Sequence, residues 1–289
     1  MDDRQADLIL GNIEEIVFAH LNRFIDPEVI AVLDNPDANH NDIECLKSRL
    51  APEITGRLFA MANAAYSGKL RSGALTHFYD AVMRLGVQHT KLFILFFSLP
   101  HNSDDRETTL LAAKSFARYV VAGTIFAREF RLNQQERMEV ELGALLYEVG
   151  KMLLMSFRQT FPHLYADYAI DDKFIDTYHR RLGISFCDNF NLPGYLKKIM
   201  ETPFFALEAE LISISGMVML THYLVEAIFS ASGDRFTIQS PMPDTRDVLT
   251  HSTGAVICEL FQSVGLSKFI VIHSVLTDAQ MRNQLKAPS

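Results

Sequence analysis

The sequence has few cysteines, and the three that it has form no recognisable pattern. Cys45, Cys187 and Cys258 lie far apart along the 289 residues, and no two of them have the CxxC spacing. Small secreted domains that depend on disulfides usually carry an even number of closely spaced cysteines. The odd count therefore disfavours a disulfide framework and predicts thiols in a reducing compartment.

An excess of basic residues is also missing. The chain has 27 Lys and Arg residues against 35 Asp and Glu residues, which gives a net charge of −8. Proteins that bind nucleic acids need clustered Lys and Arg side chains to contact the phosphates. The pairs Arg180-Arg181 and Lys197-Lys198 are too short to form such a surface. The charge balance therefore argues against a nucleic-acid partner.

No apolar run is long enough to suggest a membrane span. The most apolar stretch, Leu92 to Leu99, has less than half of the roughly 20 residues that cross a bilayer. A longer stretch at 211–229 is interrupted by His222 and Glu226 at helical intervals. The first residues, MDDRQADLIL, lack the basic start and apolar run of a signal peptide. These features predict a cytoplasmic protein without membrane insertion.

The features that are present indicate an all-α, multi-helical protein. Hydrophobic residues make up 48% of the chain, and they recur at helical spacing, whereas the alternation typical of strands is almost absent. The loop-like stretch 100–107 suggests a boundary between an N-terminal lobe, 1–103, and a C-terminal lobe, 104–289. We expect the lobes to pack into one cooperative unit. In the second lobe the predicted helices lie near 108–130, 134–156, 160–170, 172–187, 193–201, 207–231 and 245–264.

One segment of the second lobe, ELGALLYEVGKMLL at 141–154, raises the question of function. Its leucines recur at helical spacing and form one apolar stripe. On a helical wheel of about 100° per residue, Tyr147 and Glu148 point away from that stripe. They could face a binding pocket, but solvent-facing side chains have the same pattern. The wheel alone favours the solvent-facing interpretation.

Three segments on either side of this helix carry further motifs, in the order LAPEITGRLFAMANAAYSG, DAVMRLGVQHTKLFILFFSL and HRRLGISFCDNFNLP. Together they resemble the HDOD domain, an HD-related output domain of bacterial signalling proteins. Where the family has Asp, Ser and Trp, this chain has Ala51, Ala64 and Phe190. The positions that match are Pro52, Ile54, Asn63, Ala65, Ala81, Val82, Leu85, Gly86, His179, Gly183, Leu192 and Pro193.

The resemblance also implies a relationship to HD phosphohydrolases, which bind divalent metals through histidines and a carboxylate. Where those enzymes carry the His-Asp pair, this chain has Tyr147-Glu148, and a phenol with a pKa near 10 is a poor ligand at neutral pH. The segments SFARYVVAGTIFARE and IMETPFF lack the other expected histidines. Only His179 remains of the ligand set. We therefore predict no catalytic residues, no bound metal and no cofactor, and we interpret Tyr147, Glu148 and His179 as a vestigial pocket.

Two local patterns could indicate other sites, a set of metal ligands and a cysteine nucleophile. Asp172, Asp176 and His179 recur at i, i+4 and i+7, which could place three ligands on one helix face. A solvated acidic face is the commoner meaning of this pattern. Cys187 lies two helical turns from His179, but no third partner for a nucleophile is evident.

The resemblance thus implies a regulatory module of signal transduction that is not an enzyme. It would act through contacts with another signalling protein, or through a ligand in the vestigial HD cleft, and a homodimer is left open. The alternative is a divergent metal-dependent phosphohydrolase acting on nucleotides or cyclic nucleotides. A structural adaptor without any ligand is a third hypothesis.

Overall fold

A computed structural model describes residues 3–64, 75–99, 106–127, 131–201 and 213–228. Every regular element in these ranges is helical, which confirms the all-α prediction. The predicted helix near 245–264 and Cys258 lie outside the described residues. The α-helices are α1 (Asp3–Leu21), α2 (Pro27–Asp34), α3 (His40–Cys45), α4 (Pro52–Ala64), α5 (Phe78–Leu85), α6 (Val87–Ser98), α7 (Arg106–Val121), α8 (Gln134–Leu146), α9 (Val149–Thr160), α10 (Pro162–Asp167), α11 (Asp172–Asn189), α12 (Gly194–Glu201) and α13 (Ile214–Ile228).

The described chain divides into two compact units that differ from a simple N-terminal and C-terminal half. One unit contains residues 1–109 and 146–201, and the other contains 110–145 and 202–289. Within the second unit, α7 continues into a π-helical turn at Ala122–Phe126, and this turn packs against α13. The division of the chain into lobes 1–103 and 104–289 that unfold together stays a prediction. None of the described helices is long and apolar enough to cross a membrane.

The single helix predicted at 134–156 is wrong, because the structure contains two helices there. Helix α8 ends at Leu146, Tyr147 and Glu148 form a turn, and α9 begins at Val149. The apolar residues keep their helical spacing across the turn, so the sequence pattern did not reveal the interruption.

Helix α6 forms the centre of the first unit. All nine residues from Thr90 to Ser98 are buried, as expected for a run of consecutive large apolar side chains. Helices α2, α4 and α5 pack against α6 within this unit. The same unit places α1 against α9 and α11. The apolar run that is too short for a membrane is therefore a core helix.

Lys91 is a charged residue inside this core. Its side chain is 1% exposed, and its Nζ atom lies 2.7 Å and 2.8 Å from the two carboxylate oxygens of Asp34. Nζ also donates a hydrogen bond of 2.9 Å to the carbonyl oxygen of Phe190. Phe190 is the C-cap residue of α11. A cation at that end of a helix interacts favourably with the exposed carbonyls. Lys91 therefore ties α2 and α6 to the end of α11.

We predict that Phe190→Ala lowers the free energy of unfolding by about 3–5 kcal/mol, because it removes a buried ring and leaves a cavity. Phe190 is 6% exposed, and its ring lies 4.9 Å from that of Phe186. Urea denaturation measures the loss, and Phe24→Ala is a control because the Phe24 side chain is 56% exposed. An unchanged midpoint for Phe190→Ala would show that this ring contributes little to the core.

Candidate functional site

The candidate site lies where the turn between α8 and α9 meets α11, within the first unit. Tyr147 and Glu148 are each 4% exposed, and His179 on α11 is 7% exposed. The interpretation of Tyr147 and Glu148 as solvent-facing side chains is therefore wrong. They are buried because every residue from 140 to 150 is buried, so this part of the chain has no solvent-facing side.

Tyr147 is held by an arginine of α11. The Tyr147 hydroxyl accepts a hydrogen bond of 3.0 Å from Nη2 of Arg180, and the guanidinium carbon lies 5.6 Å from the centre of the ring. This arrangement combines a hydrogen bond with a cation–π contact. The Tyr147 hydroxyl thus serves as a hydrogen-bond acceptor for the guanidinium of Arg180.

Glu148 belongs to a short chain of charges. Its Oε1 atom lies 3.3 Å from Nζ of Lys151, one turn further along α9. The same Nζ lies 3.1 Å from Oδ1 of Asp176 on α11. Burial alone would lower the pKa of Lys151, but the two carboxylates raise it above its ordinary value. One ammonium therefore joins two carboxylates from different helices.

His179 is a neutral imidazole whose proton can be located. Its Nδ1 atom lies 2.9 Å from the carbonyl oxygen of Ile175 and 3.1 Å from that of Asp176. Because a carbonyl oxygen can only accept, Nδ1 carries the proton. Burial lowers the pKa of His179, and the positive charge of Lys151 lowers it further. His179 is therefore uncharged near neutral pH.

Two glycines allow the helices that carry these residues to approach each other. A Cβ atom placed on Gly150 would lie 1.7 Å from the backbone oxygen of His179. A Cβ atom on Gly183 would lie 2.9 Å from the sulfur of Met200. Gly150 needs glycine because its added Cβ would meet the backbone of α11, whereas the contact at Gly183 is with the movable end of the Met200 side chain. The close crossing brings Glu148, Lys151 and His179 into the same region.

The carboxylate pair of Glu148 and Asp176 does not fit a catalytic metal centre. Catalytic zinc sites usually have three protein ligands and an open position for water. Here the ammonium of Lys151 already occupies the space between the two carboxylates. The third residue of the proposed acidic face, Asp172, is solvent-exposed and lies at the first turn of α11. The arrangement therefore favours a fixed ion-pair network.

Cys187 is unsuited to act as a nucleophile. It is fully buried on α11, and burial raises the pKa of its thiol to about 12. The thiolate, which is the reactive form, is therefore almost absent at neutral pH.

Sequence reasoning missed Lys151 and gave too little weight to Arg180. The sequence pattern assigned no role to Lys151, and Arg180 was considered only as part of a basic pair that is too short to bind nucleic acid. One signal was available, because Lys151 lies in the first turn of α9, where a positive charge is unfavourable. A lysine at such a position calls for acidic partners, but the sequence does not say that one of them is Asp176.

A comparison with protein families shows that residues 26–202 match the model of the HDOD domain. No curated protein matches the chain. A structure of a candidate metal-dependent phosphohydrolase from Shewanella amazonensis SB2B is 10% identical, with a TM-score of 0.55, over 92% of this chain and all of the other. At this identity the likeness concerns the fold alone.

Two further solved structures are similar at lower scores. An HDOD domain protein of unknown function from Geobacter sulfurreducens is 15% identical with a TM-score of 0.46, over 96% of this chain and 97% of the other. A candidate phosphohydrolase from S. amazonensis SB2B is 13% identical with a TM-score of 0.48, over 93% of this chain and 97% of the other.

Proposed function

Since the chain belongs to the HDOD domain family, we propose that it is a non-catalytic regulatory module of signal transduction. It acts by presenting a rigid helical surface to another signalling protein, or by binding a ligand near Tyr147, Glu148 and His179. The partner is a protein and not a nucleic acid, because the chain carries a net charge of −8. A second copy of the chain is one candidate for such a partner.

The observation that carries this proposal is the ion pair of Lys151 with both Glu148 and Asp176. Metal-assisted hydrolysis needs a cation that polarises a bound water and neutralises the developing negative charge on phosphate oxygens. A lysine ammonium that is already paired with two carboxylates cannot generate such a nucleophile.

We predict that the purified protein contains no stoichiometric Mn, Fe, Ni or Zn and hydrolyses no nucleotide or cyclic nucleotide. The reason is that Tyr147 stands where the related enzymes have a histidine, and that the ammonium of Lys151 already pairs with Glu148. Elemental analysis measures the metal content, and phosphate release with each added metal measures turnover. The double variant Tyr147→His/Glu148→Asp is expected to remain inactive, because the other ligands are also missing.

The control for this experiment is Glu148→Ala, which removes the buried carboxylate. Metal-dependent turnover that is present in the wild type and lost in Glu148→Ala would establish the alternative function, a divergent phosphohydrolase. About one metal ion per chain, lost on mutation of His179, would contradict the proposal in the same way.

A further inference from the structure

We propose that Lys151 is the built-in cation of the Glu148–Asp176 carboxylate pair and that it excludes divalent metals from that pair. The inference deepens the proposed non-catalytic role, because it names what stands in the place of a metal at the site. It concerns a positioning residue, since Lys151 acts by holding two side chains and contacts no substrate.

The geometry supports the proposal from both sides of the ammonium. Nζ of Lys151 is 3.3 Å from Glu148 and 3.1 Å from Asp176, so both carboxylates use the same cation. The Glu148 side chain is only 5% exposed, and a buried carboxylate is costly unless a cation or hydrogen-bond donors accompany it. A divalent metal between the same two oxygens would need the volume that Nζ occupies.

The position of Lys151 in its helix supports the proposal independently. Glu148 is the N-cap residue of α9, and Lys151 is the third residue of the helix proper. The positive end of the helix dipole repels a cation at this position. The two carboxylates offset this repulsion, as the raised pKa of Lys151 indicates. The lysine is thus stable there because of the acidic pair.

Lys151 also acts on the third residue of the site. Its charge contributes to the lowered pKa of His179, after burial as the main cause. The neutral His179 donates its Nδ1 proton in a hydrogen bond to the carbonyl oxygen of Ile175. One cation thus pairs with both carboxylates and favours the uncharged imidazole on the neighbouring helix.

The test is the effect of Mn²⁺ on Lys151→Met, because Mn²⁺ prefers carboxylate ligands. We expect the melting temperature of the variant to fall by about 10 °C, since a buried carboxylate loses its partner. Addition of 1 mM Mn²⁺ should restore at least half of this loss, whereas the wild type should not respond. The double variant Lys151→Met/Asp176→Asn lacks one of the two carboxylates and should not respond to Mn²⁺. Lys173→Met, which removes an exposed charge from α11, is the matched control and should behave like the wild type.

The proposal is overturned if Lys151→Met and the wild type respond equally to Mn²⁺. It is also overturned if neither protein responds. If Lys151→Met does not fold, the melting temperature of the double variant Lys151→Met/Glu148→Gln is measured instead. It removes the cation and the buried negative charge together and should fold with a melting temperature near that of the wild type. A double variant that is also unfolded would show that Lys151 is needed for packing and not for its charge.

These measurements need neither a partner nor an enzymatic assay, so their outcome is separable from that of the proposed function. A module could lack turnover and still show no Mn²⁺ response in Lys151→Met. That result would reject only the proposed role of Lys151 and would leave the proposed function untouched.

Discussion

Residues 1–103 and 104–289, produced as two separate polypeptides, are expected to be unfolded or aggregated. The cut divides the first compact unit, because residues 1–109 and 146–201 belong to the same unit. Each fragment would then expose apolar surface that the other covers in the intact chain. Newly exposed apolar surface promotes association and aggregation. Circular dichroism and thermal melting of each fragment measure the effect.

The cut separates α1 from the residues that it contacts in the second fragment. Helix α1 loses an ion pair between Asp7 and Arg181 and a hydrogen bond of 2.7 Å between Glu14 and Ser185. The ring of His20, which lies 5.6 Å from that of Phe161, loses an edge-to-face contact. These three contacts are polar or partly exposed, so their individual contributions are small. They mark the position of the larger apolar interface between α1, α9 and α11.

Lys91 provides the strongest reason to expect failure of the N-terminal fragment. In that fragment its ammonium would keep Asp34 but lose the carbonyl of Phe190. Mixing the two fragments in refolding buffer should restore a soluble complex with cooperative melting, which is the control for damage to either piece. If both fragments are monomeric and melt cooperatively alone, the chain is not one cooperative scaffold.

The fold class was predictable from the sequence because it depends on local periodicity. The run from Leu92 to Leu99 consists of large apolar side chains, and such a run has no stable position other than the core. The charged residue beside it was not predictable. Lys91 would ordinarily be assigned to the surface, and its two partners, Asp34 and Phe190, lie 57 and 99 residues away.

That Tyr147, Glu148 and His179 form a vestigial pocket stays a prediction, which rests on the resemblance to HDOD domains; the structure shows that all three are buried. The helical wheel failed for Tyr147 and Glu148 because it identifies the less apolar face of a helix but does not show that this face is also covered, as it is over residues 140–150. The role of Lys151 depends on Asp176 on another helix, and sequence spacing does not encode that distance.

The close crossing of α9 and α11 leads to the second large prediction, that Gly150→Ala prevents stable folding. The added methyl group would lie 1.7 Å from the backbone oxygen of His179 and 2.9 Å from the backbone nitrogen of Gly183. A backbone atom cannot move aside as a side chain can, so the two helices must separate. We expect the free energy of unfolding to fall by more than about 3 kcal/mol. Urea denaturation of the full chain measures this loss.

The chain offers matched controls for this substitution at glycines that are also helical. Gly11 in α1 has no neighbouring atom within 4 Å of the added methyl group. Gly11→Ala should therefore stabilise the protein by up to about 1 kcal/mol, because alanine has the higher helix propensity. Gly183→Ala should lie between the two, because the sulfur of Met200, at the flexible end of a side chain, can move. If Gly150→Ala and Gly11→Ala have the same stability, α9 and α11 do not cross as closely as described. In that case the ion pair between Lys151 and Asp176, which depends on this crossing, would also lose its structural basis.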